Sequence, residues 1–411
     1  MQFVSLKSFE NILPLELVQR LCIEHNVDKC NQIRLPGLAV FSCLLETTLW
    51  GCDTSQRALA DVYEANTGQT ADHSSFGKRL AGIPVDLFRD IFEYLYQVLT
   101  PTAPPSELQK LRIQFVDATI VTLSARLINF GLLVNQKIKK GPRRDIKTVF
   151  SLDGDGLPRL MRLCTNKNEH NDNVALGDPI LASMRPNDLF VFDSGLTDRN
   201  RFLAINNANA YFLTRHVTQK LNTVHVLFEA EQVQRSEAAP QKGDATYQLL
   251  RVEECRFGAG RDIDKFESMP IVAINGRRWD SRKQKWSALE LITNLPLKDN
   301  NTKAGAYTFT EVAELYRQRW EIETFFKFIK QNLGYGHILS RTQNGIEVMI
   351  YMTLITALLM IWYKRITRKA QGGWPSIKRW MANDADQWTA NLMNRAIWTQ
   401  VAARKTIPRR I

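Results

Sequence analysis

The stretch YRQRWEIETFFKFIK, residues 316 to 330, sets a phenol, a guanidinium, a carboxylate and an ammonium among large apolar side chains. At about 100° per residue, Tyr316, Arg319, Glu323 and Lys330 fall on one helical stripe roughly 60° wide, beside an apolar face of Leu315, Ile322, Phe325, Phe326 and Ile329. Arg319 and Glu323 are an i, i+4 pair, which at a surface contributes only about 0.3 to 0.5 kcal/mol. A surface pair does not explain why the whole stripe borders the apolar face. A carboxylate there invites a search for partners, because hard cations such as Mg2+ take oxygen ligands and a two-metal site draws carboxylates from separate elements.

Two partners stand out. Asp117 follows the apolar run IQFV, and Asp193 ends LFVF before Ser194 and Gly195 turn the chain. Acidic side chains disfavour strands and are costly in buried sheets, so ligand roles explain both better than filler does. Either alone could be a cap or turn residue, Asp193 especially, since a helix begins near Thr197. Taken with Glu323, they predict a metal triad.

The elements that must position these groups change character along the chain. Residues 1–105 read as helical, with LELVQRLCIEH, LAVFSCLLETTLW and DLFRDIFEYLYQVL apolar at three- and four-residue spacing. Between them lie short helices opened by Ser55 and by the Ser74/Ser75 pair, either packing units or a helix-turn-helix reader of DNA. TPTAPPSE, 100 to 107, supplies a proline-rich boundary. Beyond it, LRIQFVDATIV, IKTVFSLD, LPRLMRLC, DLFVFDSG and AYFLTRH read as strands, with a hairpin across Gly-Asp-Gly and helices at about 172–183 and after Thr197. This pattern predicts a mixed sheet flanked by helices. Residues 217–305 read as a mainly β insertion, and a helix opening near Thr310 resumes the α/β pattern. The run at 348 to 363 is 16 uncharged residues, short for a membrane span, and predicts a helix buried on all sides.

A formal charge of +12 points toward a polyanionic partner. Residues 361 to 411 carry eleven Lys or Arg against two Asp, a net of +9, interleaved with five tryptophans. KIKKGPRR (137 to 144) and RRWDSRKQKW (277 to 286) repeat the theme. Each cluster alone reads as a solvated face, but three with aromatics favour nucleic acid, since phosphates attract cations and unstacked bases attract flat rings. Six scattered cysteines and six histidines form no zinc or disulfide pattern, and no signal peptide, phosphate loop or serine elbow is present. These readings predict a cytoplasmic protein without a membrane role.

With these residues in view, the chain resembles the DDE transposases of bacterial insertion sequences, in particular the insertion-sequence-four family and its Tyr-Arg-Glu-Lys signature. The pattern Y-x2-R-x3-E-x6-K is matched by Tyr316, Arg319, Glu323 and Lys330. The resemblance spans almost the whole chain. It implies an α/β fold: a helical DNA-binding domain (1–105), an RNase H-like mixed-sheet catalytic core (106–216 and 306–365), a β-rich insertion (217–305) and a basic helical C-terminal tail (366–411). It implies Asp117, Asp193 and Glu323 as catalytic carboxylates holding two Mg2+ ions, with Mn2+ as a substitute, and puts Tyr316, Arg319 and Lys330 beside the DNA backbone. It further implies cut-and-paste chemistry on double-stranded DNA through hairpin ends, by a homodimer. Trp279 and Trp286 are candidate stacking surfaces for a displaced base, although most tryptophans are packing residues. Where relatives often place a basic residue just after the second Asp, this chain has Ser194. Two other readings stand: a related nuclease without strand transfer, and a catalytically silent DNA-binding protein.

Overall fold

The switch near residue 110 from helical to alternating apolar spacing marks the passage from helices to a sheet in this computed structural model. It describes residues 6–28, 35–50, 55–100, 111–125, 128–134, 142–216, 221–230, 240, 247–257, 266, 269–281, 283–297, 307–336 and 338–367. The proline-rich boundary after residue 100, most of KIKKGPRR and the basic tail beyond Thr367 lie outside the described residues.

Among the described residues six helices come first: α1 (Leu6–Ile12), α2 (Leu15–Glu24), α3 (Gly37–Trp50), α4 (Gln56–Thr67), α5 (His73–Gly82) and α6 (Val85–Leu99). In α6 the buried side chains Leu87, Phe88, Ile91, Phe92, Leu95 and Leu99 repeat the three- and four-residue spacing that predicted the helix. Ser55 caps α4, its hydroxyl accepting from Ala58 N at 3.0 Å. At α5 the cap is Asp72 rather than the Ser74/Ser75 pair: the carboxylate accepts from Ser74 N at 2.7 Å, a position the helix dipole favours for an anion.

Among the described residues ten strands form one mixed sheet: β1 (Arg112–Ser124), β2 (Leu132–Val134), β3 (Arg143–Asp153), β4 (Pro158–Cys164), β5 (Asp188–Val191), β6 (Tyr211–Arg215), β7 (Leu221–Glu229), β8 (Tyr247–Phe257), β9 (Ile271–Asp280) and β10 (Lys285–Thr293). The order is β2-β3-β1-β5-β6-β10-β9-β8-β7, with β4 also paired to β3. Strand β1 is antiparallel to β3 and parallel to β5, and β5 is parallel to β6. The four strands within residues 217–305 continue this sheet, because β10 pairs antiparallel with β6.

Crossovers between the parallel strands carry α7 (Asp172–Ala175), α8 (Gly177–Ser183) and α9 (Arg199–Asn207). The helix expected at about 172–183 is two, because Pro179 has no N–H to give the Ala175 carbonyl four residues back. Alternation sends each strand's side chains to two cores. Phe115, Phe150, Leu189 and Leu213 pack on the face covered by the N- and C-terminal helices. Val116, Val149, Phe190 and Phe212 pack with Phe202 and Ile205 of α9 on the other.

After the sheet come α10 (Phe309–Gln318), α11 (Trp320–Asn332) and α12 (Gln343–Thr367). Helix α10 starts on a capping box of Thr308 and Glu311. Gly276 of β9 lets this helix approach: a Cβ there would stand 3.1 Å from the Phe309 ring. Helix α12 is long and apolar enough to cross a membrane by composition, yet 83% of its apolar window is buried inside the protein. It packs among the N-terminal helices, with Trp362 edge-on to Phe9 at 5.1 Å and Tyr351 against Phe92 at 5.8 Å.

Candidate active site

Asp117 lies within β1, opposite Phe150 of β3. The parallel register with β5 ends at Phe115 opposite Val191. Continuing it by two residues sets Asp117 level with Asp193, on the same face of neighbouring chains. Each Asp turns one carboxylate oxygen onto the next backbone N–H: Asp117 Oδ1 accepts from Ala118 N at 2.7 Å and Asp193 Oδ1 from Ser194 N at 2.8 Å. The second oxygen of each is left for other partners.

The signature stretch is not one unbroken helix. Arg319 ends α10 and begins α11; its N–H bonds the Tyr316 carbonyl and its own carbonyl accepts from Ile322 N, both at 3.2 Å and both three residues apart. This tight turn keeps helical dihedrals, so the i, i+4 geometry survives across it. The Arg319 guanidinium donates to Glu323 Oε1 at 2.9 Å and lies 3.8 Å from Asp117 Oδ2. Its side chain is only 8% exposed, and its Nε has no hydrogen-bond partner. Helix α11 meets β1 and β3 through Phe325 and Phe326, which touch Phe150, the residue opposite Asp117. Core packing therefore holds Glu323 over the strand that carries Asp117.

Tyr316, on α10, donates its hydroxyl to Asp193 Oδ1 at 3.4 Å, a weak bond. Burial pushes its phenol up to about 12, with Asp193 adding to the shift and Arg319 opposing it. The Asp117 carboxyl is also raised: burial is the main cause, Ala118 N–H and Arg319 oppose it, and the charges of Glu323 and Asp193 raise it further. Asp117 thus feels the charges of both other carboxylates. Among the described residues, however, no three His, Cys, Asp or Glu side chains stand close enough to share a metal ion. Arg319 supplies the positive charge between two of them. Carboxylate oxygens are the donors a hard cation such as Mg2+ takes; here the Arg319 guanidinium, rather than a common cation position, joins Asp117 and Glu323.

Lys330 is exposed toward the C-terminal end of α11. Trp279 and Trp286 face each other across β9 and β10, ring centroids 5.5 Å apart and edge-on, with the Arg277 guanidinium 5.0 Å above Trp286. Leu291 is level with Arg215 at the end of β6, so Trp286 stands five residues, roughly 17 Å, further along the direction in which β5 runs toward Asp193. The β9–β10 arm thus overhangs the end of the sheet at which β5 leads into Asp193. Arg215, whose charge reaches Tyr316, was missed by sequence reasoning; its signal was an arginine closing an apolar strand. Lys147 was missed too, although a lysine inside IKTVFSLD asks for a buried partner: it bonds Asp172 and, at 3.0 Å, the His170 carbonyl.

The model of the Transposase DDE domain family matches residues 109–359, more than half of the chain and all the elements just described. A putative transposase of insertion sequence element IS4SA from Synechocystis sp. is 23% identical over 312 residues, covering 75% of this chain and 77% of that one. The transposase of element IS231D from Bacillus thuringiensis subsp. finitimus is 22% identical, covering 73% of this chain and 67% of that one. A solved structure of the piggyBac transposase synaptic complex with hairpin DNA aligns over 98% of this chain and 85% of its own, at a TM-score of 0.47 and 11% identity. With the family model spanning β1 to α12, the chain belongs to the DDE transposases and has relatives among the transposases of insertion sequences.

Proposed function

We propose that this protein cuts and joins DNA at the ends of an insertion sequence, with Asp117, Asp193 and Glu323 as the carboxylates of a divalent-metal site. The observation that carries the reading is that Asp117 within β1 and Asp193, two residues past the end of β5, come level when the β1–β5 register is continued, with Arg319 linking Asp117 to Glu323. The strands β4-β3-β1-β5-β6, three antiparallel and then two parallel, support an RNase H-like core.

Two Mg2+ or Mn2+ ions held there would lower the pKa of an attacking water or 3′-hydroxyl and offset charge on the leaving oxygen. The chain's own groups position the DNA. Arg319, released from Glu323, can grip a phosphate beside the cut, and Arg215 and Lys330 can extend that contact along the backbone. Tyr316 keeps its proton far above neutral pH and serves as a hydrogen-bond donor. On the overhanging arm, Arg277, Trp279 and Trp286 offer a cation and two rings to a base displaced when the strand bends into a hairpin. Pairing two element ends calls for at least two protomers, acting in the cytoplasm on double-stranded DNA.

The test is cleavage of DNA carrying the element's ends, with Mg2+ or Mn2+, by the native protein and Glu323→Gln. Cutting by the native protein alone, with both binding DNA, supports the reading. Equal cutting by both removes Glu323 from the site, and binding without cutting by either favours a silent DNA-binding protein. Cutting without joined products favours a nuclease.

A further inference from the structure

The segment NEHND, 168 to 172, and its neighbour Asn173 are not absorbed by the site described above, yet they reach it. Asn173 is the second residue of α7, and its Oδ1 accepts two consecutive backbone N–H groups of the loop after β5, Thr197 at 2.8 Å and Asp198 at 3.0 Å. Its Nδ2 donates to Thr197 Oγ1 at 3.3 Å. The neighbouring Asp172 packs against Gly195, where a Cβ would stand 3.0 Å from its Oδ2. Asp172 is in turn held by Lys147 of β3, a lysine only 7% exposed. The loop DSGLTD, 193 to 198, is therefore tied through α7 to the strand on the other side of β1.

We propose that Asn173, anchored through Asp172 and Lys147, is a positioning residue that fixes the Asp193 carboxylate for its cation. This rests on the reading of Asp193 as a ligand. Asp193 follows the last residue of β5 by two positions and lies beyond the sheet's own register. Pairing continues as far as Phe192, whose N–H donates to the Leu213 carbonyl at 3.2 Å; beyond it the Thr214 hydroxyl holds the Asp193 carbonyl at 3.1 Å and the three bonds of Asn173 to Thr197 and Asp198 hold the far side of the turn. A carboxylate on an unpaired turn keeps its direction only if that turn is pinned, and partners of this kind typically tune metal affinity by about 10- to 100-fold. A role confined to starting α9 does not need Asn173, since Asp198 caps that helix by accepting from Asn200 N at 2.9 Å.

The experiment measures Mn2+ binding to the full chain by titration calorimetry without DNA, and the Mg2+ concentration for half-maximal cleavage. Asn173→Ala, which removes the acceptor, should bind Mn2+ about tenfold more weakly and raise the Mg2+ requirement by the same factor. Its metal-free binding of end DNA should be native. Asn173→Asp keeps an acceptor oxygen and should bind Mn2+ as well as the native protein or better. Native Mn2+ affinity in Asn173→Ala, or equal impairment of the two variants, overturns the proposal. Should Asn173→Ala fail to fold, Lys147→Met keeps the buried stem while releasing Asp172; it should bind Mn2+ more weakly, and native affinity there overturns the proposal. Asp193→Ala separates the two ideas: loss of Mn2+ binding with unaffected Asn173 variants refutes the brace alone, whereas native Mn2+ binding by Asp193→Ala refutes the site itself.

Discussion

Removing the guanidinium between the carboxylates is the most informative perturbation of this molecule. At 3.8 Å and an effective dielectric of about 20, the attraction of Arg319 for Asp117 is about 4 kcal/mol gross. The side chains of Asp117 and Glu323 are 27% and 37% exposed, so solvent screens both, and a net loss of about 2 kcal/mol is expected for Arg319→Ala. In a chain of this size that lowers Tm by about 2 °C. The loss depends on pH with a definite sign. Because the folded-state pKa of Asp117 is raised, the native state binds this proton more tightly than the unfolded chain, so ionising it costs stability. That cost is absent below the ordinary carboxylate value and complete above the raised one. Without Arg319 the pKa climbs further, and the gap between variant and native protein should widen between a pH within the ordinary carboxylate range and one well above it. Mn2+ at 100 times its Kd should return about 2.7 kcal/mol, and should do so at least as well in the variant, where no guanidinium competes. Calorimetric melting at both pH values, with and without Mn2+, reads all of this. A Tm loss that is the same at both pH values, or a variant that Mn2+ stabilises less than the native protein, refutes the reasoning.

Other consequences can be checked separately. Trp286→Ala should reduce hairpin formation at the element ends while leaving Mn2+ binding native, measured by gel analysis of cleavage products; unchanged hairpin yield removes the arm from the proposed role. Asn294→Ala should destabilise the fold by about 2 to 3 kcal/mol, because it orphans Phe212 N and the Ala210 carbonyl, bonded at 2.9 and 3.0 Å in the interior; denaturant unfolding measures it. Thr308→Ala breaks the capping box of α10 and should cost about 1 kcal/mol by the same measurement, with Thr308→Ser close to native.

Where the candidate residues stand on their elements was partly legible because the signals are local. An aspartate inside or ending an apolar run marks a strand position with an unusual demand, and the i, i+4 spacing of Arg319 and Glu323 becomes a 2.9 Å bond in the structure. The cap of α5 was misread because Asp72 and Ser74 are both good caps, and only backbone geometry separates residues two apart. The interruption at Arg319 has no proline or glycine to announce it. The joining of β10 to β6 was not legible at all, since a pairing between residues about 80 apart leaves no periodic trace in either strand. For the same reason the bonds between Asn173 and the backbone of Thr197 and Asp198 could not be seen.

The burial of α12 among the N-terminal helices bears on how the chain is made. Phe9, Phe41, Phe88 and Phe92 share one core with Ile350, Leu354, Leu358 and Tyr363, so the first 100 residues leave the ribosome without the helix that completes their interior. At about 5 to 20 residues per second, the wait from α6 to α12 is roughly 10 to 50 s. During that interval the apolar faces of α3 and α6 are substrates for chaperones. A chain interrupted anywhere before residue 343 would be released without α12 and so with an incomplete core.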